Sequence, residues 1–415
     1  MKRILFSIFC VLLISVIFAE AGVADKNDKL IQSAETGNLQ GVQTALAEGA
    51  DINALVVKKY EFGMEKGTTA LIAASEKGHK EVVKLLLNGG ANVNIKDIPN
   101  GFTALVVASQ NGHTDIVKLL LDKGADANEI EAVTGYPALI WASDKGYAEI
   151  VKCLLEKGAN INIENNKGVT ALIAACQGGH IEIVKLLLYK GADVNVKHTY
   201  SGTALWVASF NGHTEIVKLL LDKGTGVNAK ANVDGATVLM AASYNGQTDV
   251  VRLLLNKGAD VNIEPKGVSA LIAASYKGHP EVVKLLLDKG AKINFKATDY
   301  GITALMVASY GGHAEVVKLL LNKDADINVK STIGGMTALI AAAGGGSTEV
   351  VKLLLDKGAK VNVKGETVKL NLDNYVYPSP SRSIFPTTAL MAASENGYKE
   401  TVKLLLNKGA DVNVK

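Results

Sequence analysis

The chain has 415 residues, with 44 Lys plus Arg against 41 Asp plus Glu, a formal net charge of +3 and 48% hydrophobic residues. Because Lys alternates with Asp and Glu throughout, the charges form a mixed-sign solvated surface and exclude the basic stripe of a nucleic-acid binder. Three cysteines over this length exclude a disulfide framework, so packing must hold the protein together.

Residues 1–21 stand apart. Lys2 and Arg3 precede the apolar run Ile4 to Phe18, and Ala19-Glu20-Ala21 supplies small residues around a cut. This is the layout of a secretory signal peptide, and the run is shorter than the roughly 20 apolar residues a transmembrane anchor needs. The mature chain is expected to begin near Gly22, to be exported to the periplasm or secreted, and not to insert in a membrane. Cys10 follows the bulky Phe9 within the apolar run and leaves with it. Without Lys2, Arg3 and Glu20 the balance is 42 to 40, a net charge of +2. Cys153 and Cys176 remain, in slots that other copies of the repeat fill with Leu or Ser. Two free, small core residues are expected there; one bridge between adjacent repeats is the alternative.

From residue 69 onward the sequence is periodic. Anchors of Thr-Ala-Leu type fall at Thr69, Thr103, Pro137, Thr170, Thr203, Thr237, Ser269, Thr303, Thr337 and Thr388, spaced 34, 34, 33, 33, 34, 32, 34, 34 and 51 residues apart. A period near 33 predicts stacked helix pairs, each burying its apolar face on its neighbours. The first helix starts at the Thr, whose hydroxyl can cap free N–H groups, and runs through small residues such as Ala70 to Ser75. After Gly78, Glu81 to Leu87 (EVVKLLL) predicts a second helix that is apolar nearly all round except at Glu81 and Lys84. Gly90, or the Gly of KGAD elsewhere, suits the left-handed position that ends a helix. Residues 22–54 contain a weaker unit, Asp28 to Asn53, with Gln32, Ser33, Gln40, Gln43 and Thr44 where other units are apolar, and it is expected to be a polar cap. Residues 55–68 are expected to be an extended connecting loop. Within the insertion of residues 363–387, Thr367 to Tyr377 alternates apolar and polar residues around Asp373-Asn374, predicting a short β-ribbon. The PSPSRSIFP that follows is expected to be irregular. Residues 388–415 form the final unit.

The shared pattern, G-x-T-A-L-x-x-A-S-x-x-G-H-x-E-V-V-K-L-L-L-x-K-G-A-D-V-N, is fullest in residues 101–128 and 301–328 and runs from 69 to 415. It resembles the ankyrin repeat. The resemblance implies an all-α solenoid of helix pairs with short β-hairpin-like turn fingers, here one cap and ten repeats over 69–362 and 388–415, with both insertions at the fingers where such arrays engage partners. Joined to an export signal, it implies a bacterial-type exported protein. Departures from the family pattern are specific. Ala replaces the family's Pro after Thr, and Ile, Val, Met or Trp206 replaces its following His, so apolar packing must substitute for a polar network. Asp324 replaces the helix-ending Gly, and Thr225-Gly226 replaces Ala-Asp; both are expected to weaken their turns.

Catalytic chemistry is not expected. His79, His113, His180, His213, His279 and His313 repeat at one place per unit, about 8–10 Å apart by helix packing, too far to share a metal whose ligands lie about 2 Å away. They are expected to serve the turn into the second helix, and His198 lies alone in a connection. Gly344 to Thr348 (GGGST) lacks the Gly-Lys-Ser/Thr that grips a phosphate and reads as a soft turn. Glu81, Asp115, Glu149, Glu182 and Glu215 are spread one per repeat, whereas acid and base catalysis needs two carboxylates together. No enzyme, metal or cofactor is expected.

One slot in the repeat changes character. Counted from the anchor it reads Glu76, Gln110, Asp144, Gln177, Phe210, Tyr244, Tyr276, Tyr310, Gly344 and Glu395. By the resemblance this slot, at the end of the first helix, faces the concave groove. Four aromatics in successive repeats then form a ladder, extended by Tyr300 and Tyr200 at turn tips, that suits a protein partner. The ribbon's Tyr375 and Tyr377 would join such an interface. The alternative, an envelope carbohydrate-binding protein, would stack sugars on the rings with Asn211, Asn245 and Lys277 beside them. On either reading each ring is expected to cost less than about 1 kcal/mol of stability when cut to Ala. The final unit, with Thr401 as its main concession to solvent, is expected to fray or to self-associate weakly end to end.

Overall fold

A computed structural model describes residues 25–59, 65–199, 202–231, 235–264, 268–297, 300–332, 334–371 and 379–413. The leader at 1–21, Tyr200, Tyr375 and Tyr377 lie outside them. The chain divides into two compact units, Met1–His198 and Thr199–Lys415. Each is a mostly helical solenoid of repeated pairs.

In the first unit, helices at 25–35 and Leu39–Ala47 precede the pairs Ala70–Lys77 with Lys80–Asn88, Ala104–Gln110 with Thr114–Asp122, Ala138–Lys145 with Ala148–Glu156, and Ala171–Gly178 with Ile181–Tyr189. The second unit holds Ala204–Asn211 with Thr214–Asp222, Val238–Tyr244 with Thr248–Asn256, Ala270–Lys277 with Pro280–Asp288, Ala304–Tyr310 with Ala314–Asn322, Ala338–Gly344 with Thr348–Asp356, and Ala389–Glu395 with Lys399–Asn407. Within each unit, first helices pack on first helices and second on second.

The anchor hydroxyls cap as the sequence suggests. Thr69 Oγ1 accepts from Ile72 N at 3.2 Å and Ser269 Oγ from Ile272 N at 3.3 Å, while Pro137 offers no side-chain cap. Residues 70–75 are all buried, because small side chains let adjacent first helices approach. The second helices are more amphipathic than expected. Val82, Val83, Leu86 and Leu87 are buried, but Glu81, Lys84 and Asn88 are exposed and the first leucine of the run, Leu85, is half-buried. A helix in the outer layer of a two-layer array keeps one stripe on water.

A further element links repeats. Asn residues of the V-N or equivalent pairs accept from the backbone of the next repeat: Asn94 Oδ1 from Asp126 N at 3.1 Å and Asn128 from Asn160 N at 2.7 Å in the first unit, Asn262 from Lys292 N at 3.0 Å and Asn328 from Lys360 N at 2.9 Å in the second. These bonds, all at exposed positions, give partners to backbone amides and help fix the stacking register.

The structure departs from expectation in four places. Residues 55–68 are no plain loop: Val56–Lys59 pairs antiparallel with Glu65–Thr68, and Gly67 bridges to Ile98. In the insertion, Gly365–Asn371 pairs antiparallel with Ser379–Thr387, so PSPSRSIFP carries the second strand. Pro380 and Pro386 lie within this strand, and prolines are found in edge strands such as those of a two-stranded ribbon. Thr401 is not turned to solvent; it is fully buried, and its hydroxyl bonds Thr348 Oγ1 at 2.8 Å. Thr225 repairs the turn it was expected to weaken by donating to Leu220 O at 2.8 Å. In the cap, Gln32, Gln40, Gln43 and Thr44 are exposed and Ser33 is half-buried. Among the described residues no helix is long and apolar enough to cross a membrane.

Candidate functional site

The Gly-His pairs turn out to link repeats. Their His residues give no side-chain cap to their own second helices. Instead ring Nε2 atoms donate to the last carbonyls of the preceding first helix: His113 to Glu76 O at 3.0 Å and His180 to Asp144 O at 2.9 Å in the first unit, His279 to Tyr244 O at 3.0 Å and His313 to Tyr276 O at 2.8 Å in the second. Where Gln247 stands in for His, its amide donates to Phe210 O at 3.3 Å. The ring lies against the preceding repeat's turn glycine, so a Cβ on Gly78 would collide with His113, and Gly78 also has φ +82. Where Ser347 replaces the His, the contact is made by backbone: a Cβ on Gly345 would collide with the Tyr310 carbonyl. The glycines of GGGST thus allow a close approach of backbone to the preceding repeat.

These bonds place the changed slot. Its carbonyls are tied back to the next repeat, which holds Phe210, Tyr244 and Tyr276 in register at the last turn of successive first helices. All four aromatics, Phe210, Tyr244, Tyr276 and Tyr310, are half-buried. Phe210 stacks on Trp206, with centroids 5.2 Å apart and planes 15° apart, and Trp206 is only 7% exposed. Phe210 is therefore seated on the core more firmly than the small expected stability cost assumed. The ammonium of Lys277, an exposed residue, stands 4.7 Å from the Tyr244 centroid and 5.2 Å from that of Tyr276, so one cation joins two rings from adjacent repeats. Asn245 Nδ2 donates to Phe210 O at 3.0 Å and Asn211 Nδ2 to Val207 O at 3.0 Å, so both amides serve the backbone. Tyr300 lies half-buried in the finger between Ala297 and Ile302, and its carbonyl accepts from Thr332 N of the next finger at 2.8 Å.

A second aromatic cluster, in the first unit, was not singled out from sequence. Tyr136 and Trp141 have centroids 4.9 Å apart, and Lys145 Nζ is 5.9 Å from Trp141. Its signal was a Trp where other copies carry Ala or Val. The finger leading to it is pinned by Glu131, 2% exposed, which accepts from Val133 N at 2.6 Å, Thr134 N at 2.7 Å and Tyr136 N at 3.2 Å.

Cys153 is half-buried and Cys176 buried, and both are free thiols; burial pushes the Cys176 thiol far up. Among the described residues no group of three or more His, Cys, Asp or Glu could hold a metal ion.

Comparison with known proteins fits this architecture. The sequence profile for ankyrin repeats in three copies matches residues 30–131, 127–198, 197–265, 263–331 and 331–415. The crystal structure of the human ASB11 ankyrin repeat domain is similar, at 27% identity and a TM-score of 0.50, over 54% of this chain and 99% of that one. A comparison with curated proteins gave no match. Arrays of this kind serve in general as protein-binding scaffolds and typically do no catalysis. The profile covers nearly the whole repetitive sequence and the helix pairs follow the same architecture, so the chain belongs to the ankyrin repeat family.

Proposed function

We propose that the protein is a non-enzymatic scaffold that acts outside the cytoplasm, as a periplasmic or secreted protein, and captures a protein partner on the row Phe210, Tyr244, Tyr276 and Tyr310. The observation that carries this reading is the row itself: four half-buried aromatics at one slot of four successive repeats, in a family that binds proteins. Half-buried rings offer apolar area at little entropic cost on binding, which suits hot spots. The slot carries Glu, Gln, Asp or Gly in the other repeats, so packing alone does not require a ring there.

Carbohydrate binding is the weaker alternative. Sugar stacking calls for donors and acceptors beside the rings, and the Asn211 and Asn245 side chains each commit an amide N–H to backbone. Export rests on the composition of residues 1–21.

The test compares the native chain with four single Ala variants in capture from an envelope extract, with melting measured on the same samples. Truncating a central ring of an interface costs about 2 kcal/mol or more, so Tyr244→Ala and Tyr276→Ala should lower capture more than Tyr310→Ala. Unchanged capture with large losses of melting temperature would show the rings to be structural. Mass spectrometry of the exported chain should find a start near Gly22; an intact N-terminus held in membrane would overturn the export reading.

A further inference from the structure

The fingers of the first unit are joined edge to edge by backbone. Gly67 and Ile98 exchange both their bonds at 2.9 Å, Ala132 N donates to Asn100 O at 2.7 Å, and Asn166 N donates to Thr134 O at 3.1 Å. The row starts at the strand Val56–Lys59, which pairs with Glu65–Thr68 on one side. On an antiparallel strand the N–H and C=O of one residue point to the same side. Those of Gly67 point to Ile98, so Gly67 and the residue facing it, Val57, form a pair without mutual hydrogen bonds. The N–H and C=O of Val57 therefore point to the outer edge of the ribbon. Among the described residues no hydrogen bond reaches either group.

Side chains mark the same edge. Val56 is half-buried and Lys58 reaches Asp28 of the cap at 3.4 Å, whereas Leu55 and Val57, on the alternate positions, are 36% and 40% exposed. Val57 and Ile98 flank Gly67, where a Cβ would meet the Val57 Cγ2 at 3.0 Å and the Ile98 Cβ at 3.4 Å. An apolar row thus crosses the sheet and stops at an exposed valine. Proline and bulges blunt an edge, and the second ribbon has both: Pro380, Pro386 and the irregularity between Glu366 and Val368. Residues 55–59 have neither. Lys58 and Lys59 disfavour a second copy, because antiparallel pairing of two chains about Val57 sets Lys59 of each opposite Leu55 of the other.

We propose that the outer edge of Val56–Lys59 receives an extended segment of another protein as an added antiparallel strand. An aliphatic residue of that segment lies opposite Val57 and exchanges both backbone bonds with it, and a second aliphatic residue, two positions along, packs beside Leu55. Backbone bonds give this mode its affinity and alternate side chains its selectivity. The site is separate from the aromatic row of the second unit and stands without it.

The probe is a labelled peptide of alternating Val and Thr with both ends blocked, titrated against the full chain by fluorescence anisotropy. Two further copies are N-methylated, one at the Val amides and one at the Thr amides. In the added strand the Val amides face Val57 and the Thr amides face water. Methylation at Val should weaken binding about tenfold or more, and methylation at Thr should leave it within about twofold. Val57→Pro removes the outward N–H and should weaken the unmodified peptide as much, with circular dichroism melting to show that the fold is kept. The methylated peptides give their answer on the unaltered chain, whatever the proline does to the strand. Bound peptide should also slow deuterium exchange in residues 55–59 about tenfold. A variant with Ala at Phe210, Tyr244, Tyr276 and Tyr310 should bind the peptide unchanged, so this proposal and the reading of the row fail separately. No binding of the unmodified peptide, equal effects of the two methylations, or binding lost in the four-Ala variant would each overturn the proposal. Self-association of the chain that Val57→Pro abolishes would overturn it too, by assigning the edge to a second copy.

Discussion

Two residues show how a change of side chain acts on a shared backbone. Asp324 has φ +65 at the helix end where the other repeats use glycine. A side chain in the left-handed region is strained, although Asp tolerates it better than most residues. Asp324→Gly should raise stability by about 0.5–1 kcal/mol and Asp324→Ala should lower it, measured by denaturant unfolding. A fall with glycine would mean that the carboxylate makes a compensating contact. His279 shows the electrostatic counterpart. Burial holds its imidazole below the ordinary value, and the charges of His313 and Lys277 act the same way against the bond to Tyr244 O. The folded chain thus takes up this proton later than the unfolded chain as pH falls. Its contribution to stability is complete above the unfolded pKa of about 6.5 and is lost as pH drops toward and through the folded value. His279→Gln keeps an amide able to make the bond, as Gln247 does to Phe210 O. The variant should lose less stability than the native chain between about pH 7 and pH 5, and an equal loss would assign the acid sensitivity elsewhere.

Among the elements, the second helices test which face is buried. Leu254 is fully buried and Leu253 half-buried in adjacent positions of Thr248–Asn256. Leu254→Ala should cost about 2–5 kcal/mol by urea unfolding, and Leu253→Ala less than half of that. Equal costs would mean that the helix is buried all round, as its composition alone suggested. The ribbons follow a different logic. Their strands pair in isolated twos, and the register of the second ribbon shifts at a bulge between Glu366 and Val368. Alternation around Asp373-Asn374 therefore misplaced the second strand, which begins at Ser379.

At the scale of each compact unit, a pair draws its stability from its own packing and from its immediate neighbours within the unit, through the His-to-carbonyl bonds, the Asn bonds and the layered helices. The pair Ala389–Glu395 and Lys399–Asn407 packs on the pair before it, while Met391 and Leu406 are 43% and 42% exposed. Its amides should exchange with deuterium faster than those of Ala270–Lys277 and Pro280–Asp288, which have neighbouring pairs on both sides. Equal protection would mean that another contact, such as a second copy of the chain, covers that surface.

The repeat length, the caps, the turn glycines and the family were all legible in the sequence, because each follows from local rules. A Thr hydroxyl reaches an amide three residues on, a glycine takes a left-handed turn, and a pattern copied ten times announces its period. Which His nitrogen meets which carbonyl was not legible, since His113 and Glu76 are 37 residues apart and only stacking brings them together. The burial of Thr401 against Thr348, 53 residues away, was hidden for the same reason. The aromatic slot could be read as a row from the repeat spacing together with the resemblance to ankyrin repeats. That Phe210 rests on Trp206, that Lys277 stands over two tyrosines, and that Asn211 and Asn245 are committed to backbone were decided by tertiary packing. Such contacts depend on how far one repeat is shifted against the next, a distance that no single repeat's sequence contains.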